Sequence, residues 1–272
     1  MTLPRLDAGY DVPASAVEAF AANGHCALRG ICSAEEVDAY RPVIHDAALT
    51  YSRETRPLEE RDTYGKAFLQ VPNLWRRDEN VEGFVFAPRF AAIAAALLGV
   101  GGVRLYHDQA LFKEAGGGRT PWHQDQFYWP LDTDKTITMW MPLVNVPEEI
   151  GSMTFASGSH RHGYLGEVSI SDESDDVFGR LVEEKGLRLE THGALAAGDA
   201  TFHTGWILHS APPNPTGTLR AVMTVIYYAD GARVTIPNSP YQEYDRTRWL
   251  AAVEAGELAI SEKNPLLWPG AT

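Results

Sequence analysis

The sequence predicts a mainly β fold, a sandwich or barrel backed by helices, within one domain over residues 1–272. Its first part shows helical spacing, and from residue 103 the apolar pattern changes to a period of two. Short strand-like runs then follow one another, separated by turns rich in Gly, Pro or Asp. Helices first and many short strands afterwards are typical of this architecture. The chain length suits one large β domain with additions.

Residues 1–100 are expected to be mostly helical and to support the strand-rich core. The run SAVEAFAANG predicts a helix that stops at Gly24, and the next helix begins after a Ser33 cap with acidic residues in its first turn. A short strand, HCALRGI, lies between the two helices. The apolar run at 90–103 is too short to span a bilayer and ends in glycines, which predicts a buried helix.

The strand-rich core is expected over residues 103–230. Its candidate strands are VRLYHDQALFKEA, TPWHQDQFYW, KTITMWMPLVNV, GSMTFASGS, DATFHT and LRAVMTVIYYA. The insertion SDESDDVFGRLVEEKG is acidic with a short helical centre, and we interpret it as a solvated segment or a flap; whether 173–186 is a lid stays open. Residues 231–272 are expected to form a helical tail, on the pattern SPYQEYDRTRWLAAVEAGELA.

Composition limits the partners and the compartment. The net charge of −13 argues against nucleic acid and anionic membranes as partners, because neither attracts a net anion. Cys26 and Cys32 do not form a CxxC motif, and a disulfide scaffold normally has more cysteines. The first residues, MTLPRLDAGYDVP, have no apolar core of a signal peptide. We therefore expect a cytoplasmic protein; its oligomeric state is not readable from the sequence.

The stretch WHQDQFYW carries the first candidate metal ligands. On a strand, His123 and Asp125 would point to the same face, and Phe127 and Trp129 would continue that face. Two ligands cannot hold a catalytic metal alone, and two histidines with one carboxylate and open positions form the usual non-heme Fe(II) site. The alternative is a hydrogen-bonded polar pair on a strand.

A third ligand and a cation follow in GWILHSAPPNPTGTLRAVMTVIYY. His209 ends an apolar run before a Pro/Asn/Gly turn, and Arg220 follows eleven residues later on the next strand. A hairpin of that length can bring the guanidinium near the metal. Arginine suits this position because it pairs bidentately with a carboxylate and keeps its charge when buried. The alternative for Arg220 is a surface ion pair at a strand end.

Several motifs together resemble the phytanoyl-CoA dioxygenase family of Fe(II)/2-oxoglutarate oxygenases: WHQDQFYW, TMWMPL, GSMTFASGSHRHG and LHSAPPNPTGTLRAVMTVIYY. The likeness runs from ANGHCALRGICSAEE to about residue 230. It implies a double-stranded β-helix, also called a jelly roll or cupin-like barrel, that uses Fe(II), 2-oxoglutarate and O₂. It also implies that His123, Asp125 and His209 hold the iron and that Arg220 binds the far carboxylate of 2-oxoglutarate.

Further positions match the cosubstrate pocket of that family. Gln109 in YHDQALFK could donate its amide to the C1 carboxylate of 2-oxoglutarate. Thr138 and Trp140 share the face of TITMWMPL that is expected to line the cavity; the alternative for Trp140 is plain core packing. Ala211 stands where the family often has a small polar residue, and Thr138 is the expected substitute for the missing hydrogen bond.

The expected function is hydroxylation of a C–H bond in a free small molecule, with decarboxylation of 2-oxoglutarate to succinate and CO₂. Asp125 argues against the related halogenases, which lack this carboxylate. The alternatives are desaturation, cyclisation or epimerisation with the same cofactors, and a cupin-like binding protein without activity. The scarcity of clustered Lys and Arg disfavours a CoA thioester. The candidate substrate contacts are Phe127, Trp129 and Trp206, with Gln126, Tyr128 and Tyr64 as weaker ones.

Other polar residues are not predicted to bind the iron or the cosubstrate. His160 and His162 could form a second metal pair, but their glycine-flanked turn favours a loop role. His203 is assigned to the core or to the surroundings of the ligands. His107 and Asp108 are expected on opposite faces of a strand, and the acidic run 172–176 is expected to be solvated.

Overall fold

The computed structural model describes residues 2–147, 150 and 152–269. Within these ranges the helices are α1 (Ala14–Asn23), α2 (Ala34–Tyr51), α3 (Thr63–Ala67), α4 (Glu79–Val85), α5 (Pro88–Leu98), α6 (Asp172–Glu184) and α7 (Pro240–Arg248). The strands are β1 (His25–Leu28), β2 (Leu69–Pro72), β3 (Val103–Lys113), β4 (Thr120–His123), β5 (Thr136–Pro142), β6 (Thr154–Ser157), β7 (Arg188–Glu190), β8 (Ala200–Thr204), β9 (His209–Ala211), β10 (Arg220–Ala229) and β11 (Leu266–Trp268). Short 3-10 turns occupy Leu58–Glu60, Leu74–Arg76, Asp125–Tyr128 and Ser159–His162.

The strands form two antiparallel sheets, which together make the double-stranded β-helix expected from the family resemblance. In the described part of the chain, the larger sheet has the order β1-β8-β5-β10-β3-β11, and β2 also pairs with β3. The smaller sheet has the order β4-β9-β6-β7. The strand predicted from residue 151 is found as β6, and residue 151 itself lies outside the described residues.

Helices from the first hundred residues pack with the larger sheet and form the main hydrophobic core. On β5, Ile137, Met139 and Met141 belong to this core. Thr138 and Trp140 point to the other side and line a cavity. Side-chain alternation along the strand produces this division of β5 into two faces.

The predicted ends of the N-terminal helices are confirmed. The Ser33 side chain accepts a hydrogen bond from the Glu36 N–H, and the Glu36 side chain accepts one from the Ser33 N–H. Gly24 ends α1 in the left-handed region, at φ 83°. Glu36 also forms a two-bond ion pair with the buried Arg89 of α5, at 2.8 and 2.9 Å. This pair ties α2 to the buried helix predicted from the apolar run.

The prediction of one continuous strand over 120–129 is wrong. The strand β4 ends at His123, and Asp125 begins a 3-10 turn. The N–H of Gln126 donates to the carbonyl of Gly205 at 2.9 Å, which holds the turn against the start of the β8–β9 connection. A Cβ on Gly205 would lie 2.6 Å from Gln126 Oε1 and from Thr136 Oγ1 and 2.7 Å from Trp129 Cζ3, so any larger residue would displace all three side chains. The turn, and not strand alternation, therefore places Asp125.

The acidic insertion forms the helix α6, whose apolar side packs against the smaller sheet. Asp175 Oδ1 accepts from the backbone N–H of Trp122 in β4 at 3.1 Å, and its Oδ2 pairs with Arg119 at 3.0 Å. The expectation that the whole run 172–176 is a solvated face is therefore wrong, because Asp175 anchors α6 to the strand that carries His123.

We expect Asp175→Ala to lower the free energy of unfolding by about 1–3 kcal/mol, because the half-buried N–H of Trp122 loses its charged acceptor. Urea unfolding followed by circular dichroism measures this change. Asp176→Ala is the matched control, since Asp176 is the exposed neighbour on the same helix. Equal stability of the two variants would show that Asp175 does not anchor the helix.

The prediction of a helical tail is only partly correct. The helix α7 ends at Arg248, and Ala251 and Ala252 adopt φ values of 53° and 59°, which an α-helix cannot continue. Further on, β11 pairs with β3 at the edge of the larger sheet. The sequence pattern also missed β2, which lies in the mainly helical first third. Both β2 and β11 are short edge strands on β3, and the sequence pattern also missed the three-residue β7, which pairs with β6.

The two cysteines and the most apolar stretch are internal features of the fold. Cys26 and Cys32 are free and buried, and burial raises the pKa of each thiol to about 12. By length and composition alone, Glu79–Leu98 could cross a membrane. It consists of α4 and α5, and 67% of its most apolar window is buried within the protein.

Candidate active site

Two histidines and an aspartate converge at the edge of the smaller sheet. His123 is the last residue of β4 and His209 the first of β9; they are register partners, with ring centroids 4.0 Å apart. Asp125 opens the 3-10 turn after β4. One nitrogen from each histidine and one carboxylate oxygen all lie within 4.8 Å of one another. Two imidazoles and a carboxylate in this arrangement are the donor set of a non-heme Fe(II) site.

Backbone carbonyls orient the two imidazoles. His123 Nδ1 donates to the Pro121 carbonyl at 2.8 Å, and His209 Nδ1 donates to the Ile207 carbonyl at 3.2 Å. Each Nε2 therefore carries a lone pair and faces Asp125 Oδ1, at 3.5 and 3.9 Å. Hydrogen bonds of this kind fix the tautomer and the ring orientation of metal-binding histidines.

The carboxylate of Asp125 is held from its other side. Its Oδ2 accepts from Thr138 Oγ1 and from His203 Nε2, both at 3.3 Å. Oδ1 is thereby left at the position between the two histidines. His203, expected in the core or around the ligands, supports the aspartate. The single hydroxyl proton of Thr138 goes to Asp125 in this structure, so this hydroxyl could only accept a hydrogen bond from a ligand.

The protonation states of the cluster suit a bound cation. Burial alone would raise the pKa of Asp125, but the neighbouring His209, His123 and His203 outweigh burial and hold the pKa well below its usual range. Burial lowers the pKa of His209 well below its usual value, and His123 adds to this effect. An ionised carboxylate and a neutral imidazole are the forms that bind a metal. The residues present therefore fit an iron ion.

We expect Thr138→Val to weaken Fe(II) binding by roughly 10–100-fold, because it removes the donor to Asp125 Oδ2 while keeping the side-chain shape. Anaerobic Fe(II) titration followed by tryptophan fluorescence measures the affinity. Thr201→Val is the control: Thr201 is buried on β8, and its hydroxyl has no hydrogen-bond partner among the described residues. An unchanged affinity in Thr138→Val would contradict the supporting role.

A cavity of about 510 Å³ adjoins the ligand cluster between the two sheets. Alternate residues of the larger sheet line it, namely His107, Gln109, Leu111, Thr138, Trp140, His203, Arg220, Thr224 and Ile226. The smaller sheet contributes Thr120, His123, His209, Ser210 and Ala211, and the loop before α6 contributes Ser169 and Ile170. This volume is within the usual range for small-molecule sites.

Arg220, the first residue of β10, brings a permanent positive charge to this cavity. It is 2% exposed, and its Cζ lies 5.3 Å from the centroid of the Trp140 ring. Burial lowers the pKa of Arg220 to about 10, so the guanidinium remains charged at pH 7. Its register partner Lys113 donates to the carbonyls of Gly118 and Pro212 instead, and burial lowers the Lys113 pKa to about 6. Arg220 therefore places a charged guanidinium at the cavity wall.

Gln109 lines the cavity and belongs to a chain of polar side chains that reaches α3. Gln70 of β2 donates its amide to Gln109 Oε1 and accepts from the Tyr64 hydroxyl at 2.7 Å. Because Oε1 is used in this way, Gln109 keeps its amide nitrogen as a donor. Ala211 also lines the cavity, and its side chain offers no hydrogen bond. Gln70 was not predicted as a site residue, since β2 was not predicted either.

The residues predicted to contact substrate divide into two groups. Those that line the cavity are Trp129, Tyr128 and Tyr64. Phe127 and Trp206 are absent from the described part of its wall: Phe127 packs against Tyr241 at 5.6 Å, and Trp206 against Tyr164 at 6.2 Å. Gln126 is buried in the turn. The prediction for Phe127 assumed strand alternation, which the 3-10 turn abolishes.

Sequence reasoning missed the contribution of the tail. The residues of α7 and its end that line the cavity are Tyr241, Tyr244, Asp245 and Trp249. Their spacing places them on one helix face, a signal that was available in the sequence. On β3, His107 faces the cavity, while Asp108 points away and accepts from the Leu74 N–H at 2.9 Å. His160 and His162 lie in a 3-10 turn and do not join the ligand cluster.

This donor set on a double-stranded β-helix is that of the iron- and 2-oxoglutarate-dependent oxygenases, and the protein is an enzyme of this class. The model of the phytanoyl-CoA dioxygenase (PhyH) family matches residues 20–222. The chain belongs to this family.

Individual relatives agree with this assignment. A probable alpha-ketoglutarate-dependent hypophosphite dioxygenase of Stutzerimonas stutzeri is 24% identical over 82% of this chain and 80% of its own. The carbocyclase SnoK of nogalamycin biosynthesis is similar in structure, with a TM-score of 0.77 and 24% identity over 94% of this chain and 96% of its own. The epimerase SnoN of the same pathway has a TM-score of 0.74 and 25% identity over 93% and 97%. A second SnoN structure holds Fe³⁺, alpha-ketoglutarate and nogalamycin RO.

The cofactors of the enzyme are iron and 2-oxoglutarate, with O₂ as the oxidant. When bound, they supply the oxidising power that no side chain can provide. The protein contributes the ligand cluster, the buried cation and a walled cavity.

Proposed function

We propose that the enzyme hydroxylates a C–H bond of a free small molecule while 2-oxoglutarate is converted to succinate and CO₂. In this proposal His123, Asp125 and His209 hold the iron. Arg220 binds the far carboxylate of 2-oxoglutarate, and Gln109 donates its amide to the near one. Trp140 forms the wall beside the guanidinium of Arg220, and Thr138 keeps the iron-binding aspartate in place.

The charge of the cavity is the observation that supports a free small molecule. Among the described residues of its wall, Arg220 is the only lysine or arginine. If Arg220 binds the cosubstrate, no ammonium or guanidinium remains for the phosphates of a CoA carrier, which normally need such partners. The net charge of −13 points the same way, since it repels a polyphosphate.

The walls also support oxidation in a sheltered space. Trp129, Trp140 and Ile226 line the cavity and are nearly fully buried. Apolar walls exclude water, which strengthens the interactions of Arg220 and protects a reactive site from side reactions. His107, which also lines the cavity, adds no charge to it near neutral pH, because burial lowers the pKa of His107 to about 4.

A second outcome is favoured by the structural neighbours. SnoK is a carbocyclase and SnoN an epimerase, and both share this fold. Desaturation, cyclisation or epimerisation would require the same cavity and the same cofactors. The mass of the product distinguishes the outcomes: hydroxylation adds one oxygen, desaturation and cyclisation remove two hydrogens, and epimerisation leaves the mass unchanged.

A metabolite panel tests the proposal. The enzyme with Fe(II) and 2-oxoglutarate is incubated under air with free small molecules and, in parallel, with CoA thioesters, and succinate release and product mass are measured. We expect substrate-dependent succinate and a product heavier by one oxygen from a free molecule. Succinate released only with thioesters would overturn the proposal, and the Asp125→Ala enzyme sets the background.

We also propose that the enzyme works in the cytoplasm, without nucleic acid or membrane partners. Both buried thiols are free in the fold, which suits a reducing compartment. The acidic net charge supports the absence of nucleic-acid and anionic-membrane partners.

A further inference from the structure

A buried carboxylate lines the cavity at α7. Asp245 of α7 belongs to the cavity wall and is 6% exposed. Its Oδ2 accepts from the Tyr106 hydroxyl at 2.9 Å, and its Oδ1 from the Trp249 indole N–H at 3.1 Å. Each oxygen keeps a further lone pair. In the described part of the chain, no Lys, Arg or His forms an ion pair with Asp245.

A bulge in β3 creates this arrangement. The register between β3 and β10 shifts after Ile226, which leaves Tyr106 as an extra residue on β3. The shift brings Tyr106 and His107 to the same side of the sheet, where Tyr106 holds Asp245. The His107 ring lies 4.8 Å from the Trp249 ring. Bulges re-aim side chains in this way and are common beside active sites.

Asp245 and Arg220 belong to opposite ends of the long strand pair. Asp245 is bonded to Tyr106, whereas Arg220 is the register partner of Lys113. The seven residue steps from Tyr106 to Lys113 span roughly 23 Å of β3, at ~3.3 Å per step. A cosubstrate carboxylate on Arg220 therefore leaves the space beside Asp245 for another ligand.

No positively charged side chain among the described residues compensates the charge of Asp245. Burial raises the pKa of Asp245 to about 7, although the hydrogen bonds from Tyr106 and Trp249 act in the opposite direction. His107 cannot supply the missing charge, because it is neutral near pH 7. A cation bound beside Asp245 would keep the carboxylate ionised and remove the cost of burying it unpaired.

Aromatic rings line the same cavity as this carboxylate. They include Tyr64, Tyr128, Trp129, Tyr241, Tyr244 and Trp249. Tyr244 and Trp249 meet edge to face at 6.3 Å. Burial raises the pKa of Tyr64 and of Tyr128, and the charge of Asp245 adds to both shifts, so these rings lie within its electrostatic reach. Ring faces attract cations.

Building on the proposed function, we propose that the primary substrate carries a positively charged nitrogen, an amine or alkylated ammonium, that binds Asp245 within this aromatic cage. A carboxylate and several ring faces select such a cation over a neutral group of the same shape. The C–H bond to be oxidised then lies between this nitrogen and the iron ligands.

Choline and 3,3-dimethylbutan-1-ol test this inference, because they share a shape and differ in charge. Their binding to the full-length enzyme with Fe(II) and 2-oxoglutarate is measured anaerobically by calorimetry, which requires no turnover. We expect choline to bind about tenfold more tightly than the alcohol, or better. Asp245→Asn, which keeps the shape and removes the charge, should abolish this preference. Asp176→Asn, the same change at an exposed position, should retain it.

A second variant keeps the inference testable if Asp245→Asn fails to fold. Tyr244 is 58% exposed, so Tyr244→Leu removes one ring of the cage at little cost to the core. We expect it to weaken choline several-fold and to leave the alcohol unchanged.

Equal binding of both compounds by the wild type, or binding of neither, overturns the inference. So does a choline preference that survives in both Asp245→Asn and Tyr244→Leu. The proposed function fails on a different result, the absence of succinate release from any free molecule. An enzyme that oxidises only neutral free molecules would retain the proposed function and reject the cationic substrate.

Discussion

We expect Asp125→Ala to lose iron binding and all turnover. Asp125 supplies the only carboxylate of the cluster within the described chain, and its Oδ1 faces both histidine nitrogens. Its removal also frees the side chains of Thr138 and His203 that hold it. The fall in Fe(II) affinity should exceed the roughly 10–100-fold loss that follows removal of an outer-shell partner. Anaerobic Fe(II) titration and succinate release measure the two effects.

The comparison with Thr138→Val makes this prediction specific. A graded series is expected, in which Asp125→Ala binds iron more weakly than Thr138→Val and both bind more weakly than wild type. Asp176→Ala, an exposed acid removed by the same substitution, should behave as wild type. Iron binding that survives intact in Asp125→Ala would mean that the cluster is not the metal site.

The second large effect is expected at Arg220. Arg220→Gln should raise the KM for 2-oxoglutarate by at least about thirty-fold, because removing one partner of a buried charge pair costs about 2 kcal/mol or more. Arg220→Lys should recover part of the loss, since the ammonium keeps the charge but cannot pair bidentately with a carboxylate. Steady-state kinetics with varied 2-oxoglutarate measures both variants.

The control for Arg220 is Arg41→Gln, because Arg41 lies on the outer side of α2 and pairs with Asp38 at the surface at 2.8 Å. Its KM for 2-oxoglutarate should not change. Fe(II) binding without 2-oxoglutarate should also be unaffected in Arg220→Gln. A normal KM in Arg220→Gln would assign the cosubstrate carboxylate to another residue.

Much of the site could be predicted because strand alternation and motif spacing are local. The two faces of β5 followed directly from the sequence pattern, with Thr138 and Trp140 on the cavity side. Asp125 joins the histidines for a different reason from the one predicted, since a 3-10 turn and not a strand places it. The same turn explains why Phe127 does not line the cavity.

The remaining parts depend on contacts that local patterns do not encode. Gln70 reaches Gln109 only because β2 pairs with the edge of β3. Asp175 is anchored because β4 passes beneath α6, so an acidic run that looks solvated has a structural role. Asp245 enters the cavity because a bulge brings Tyr106 to it. Each of these contacts joins segments far apart in the chain.

The most direct test of the central claim is anomalous diffraction at the iron edge from crystals grown anaerobically with Fe(II) and 2-oxoglutarate. We expect one strong peak coordinated by His123 Nε2, Asp125 Oδ1 and His209 Nε2, with the far carboxylate of 2-oxoglutarate on Arg220. Iron bound elsewhere, or no iron at these three side chains, would show that they are not the metal site.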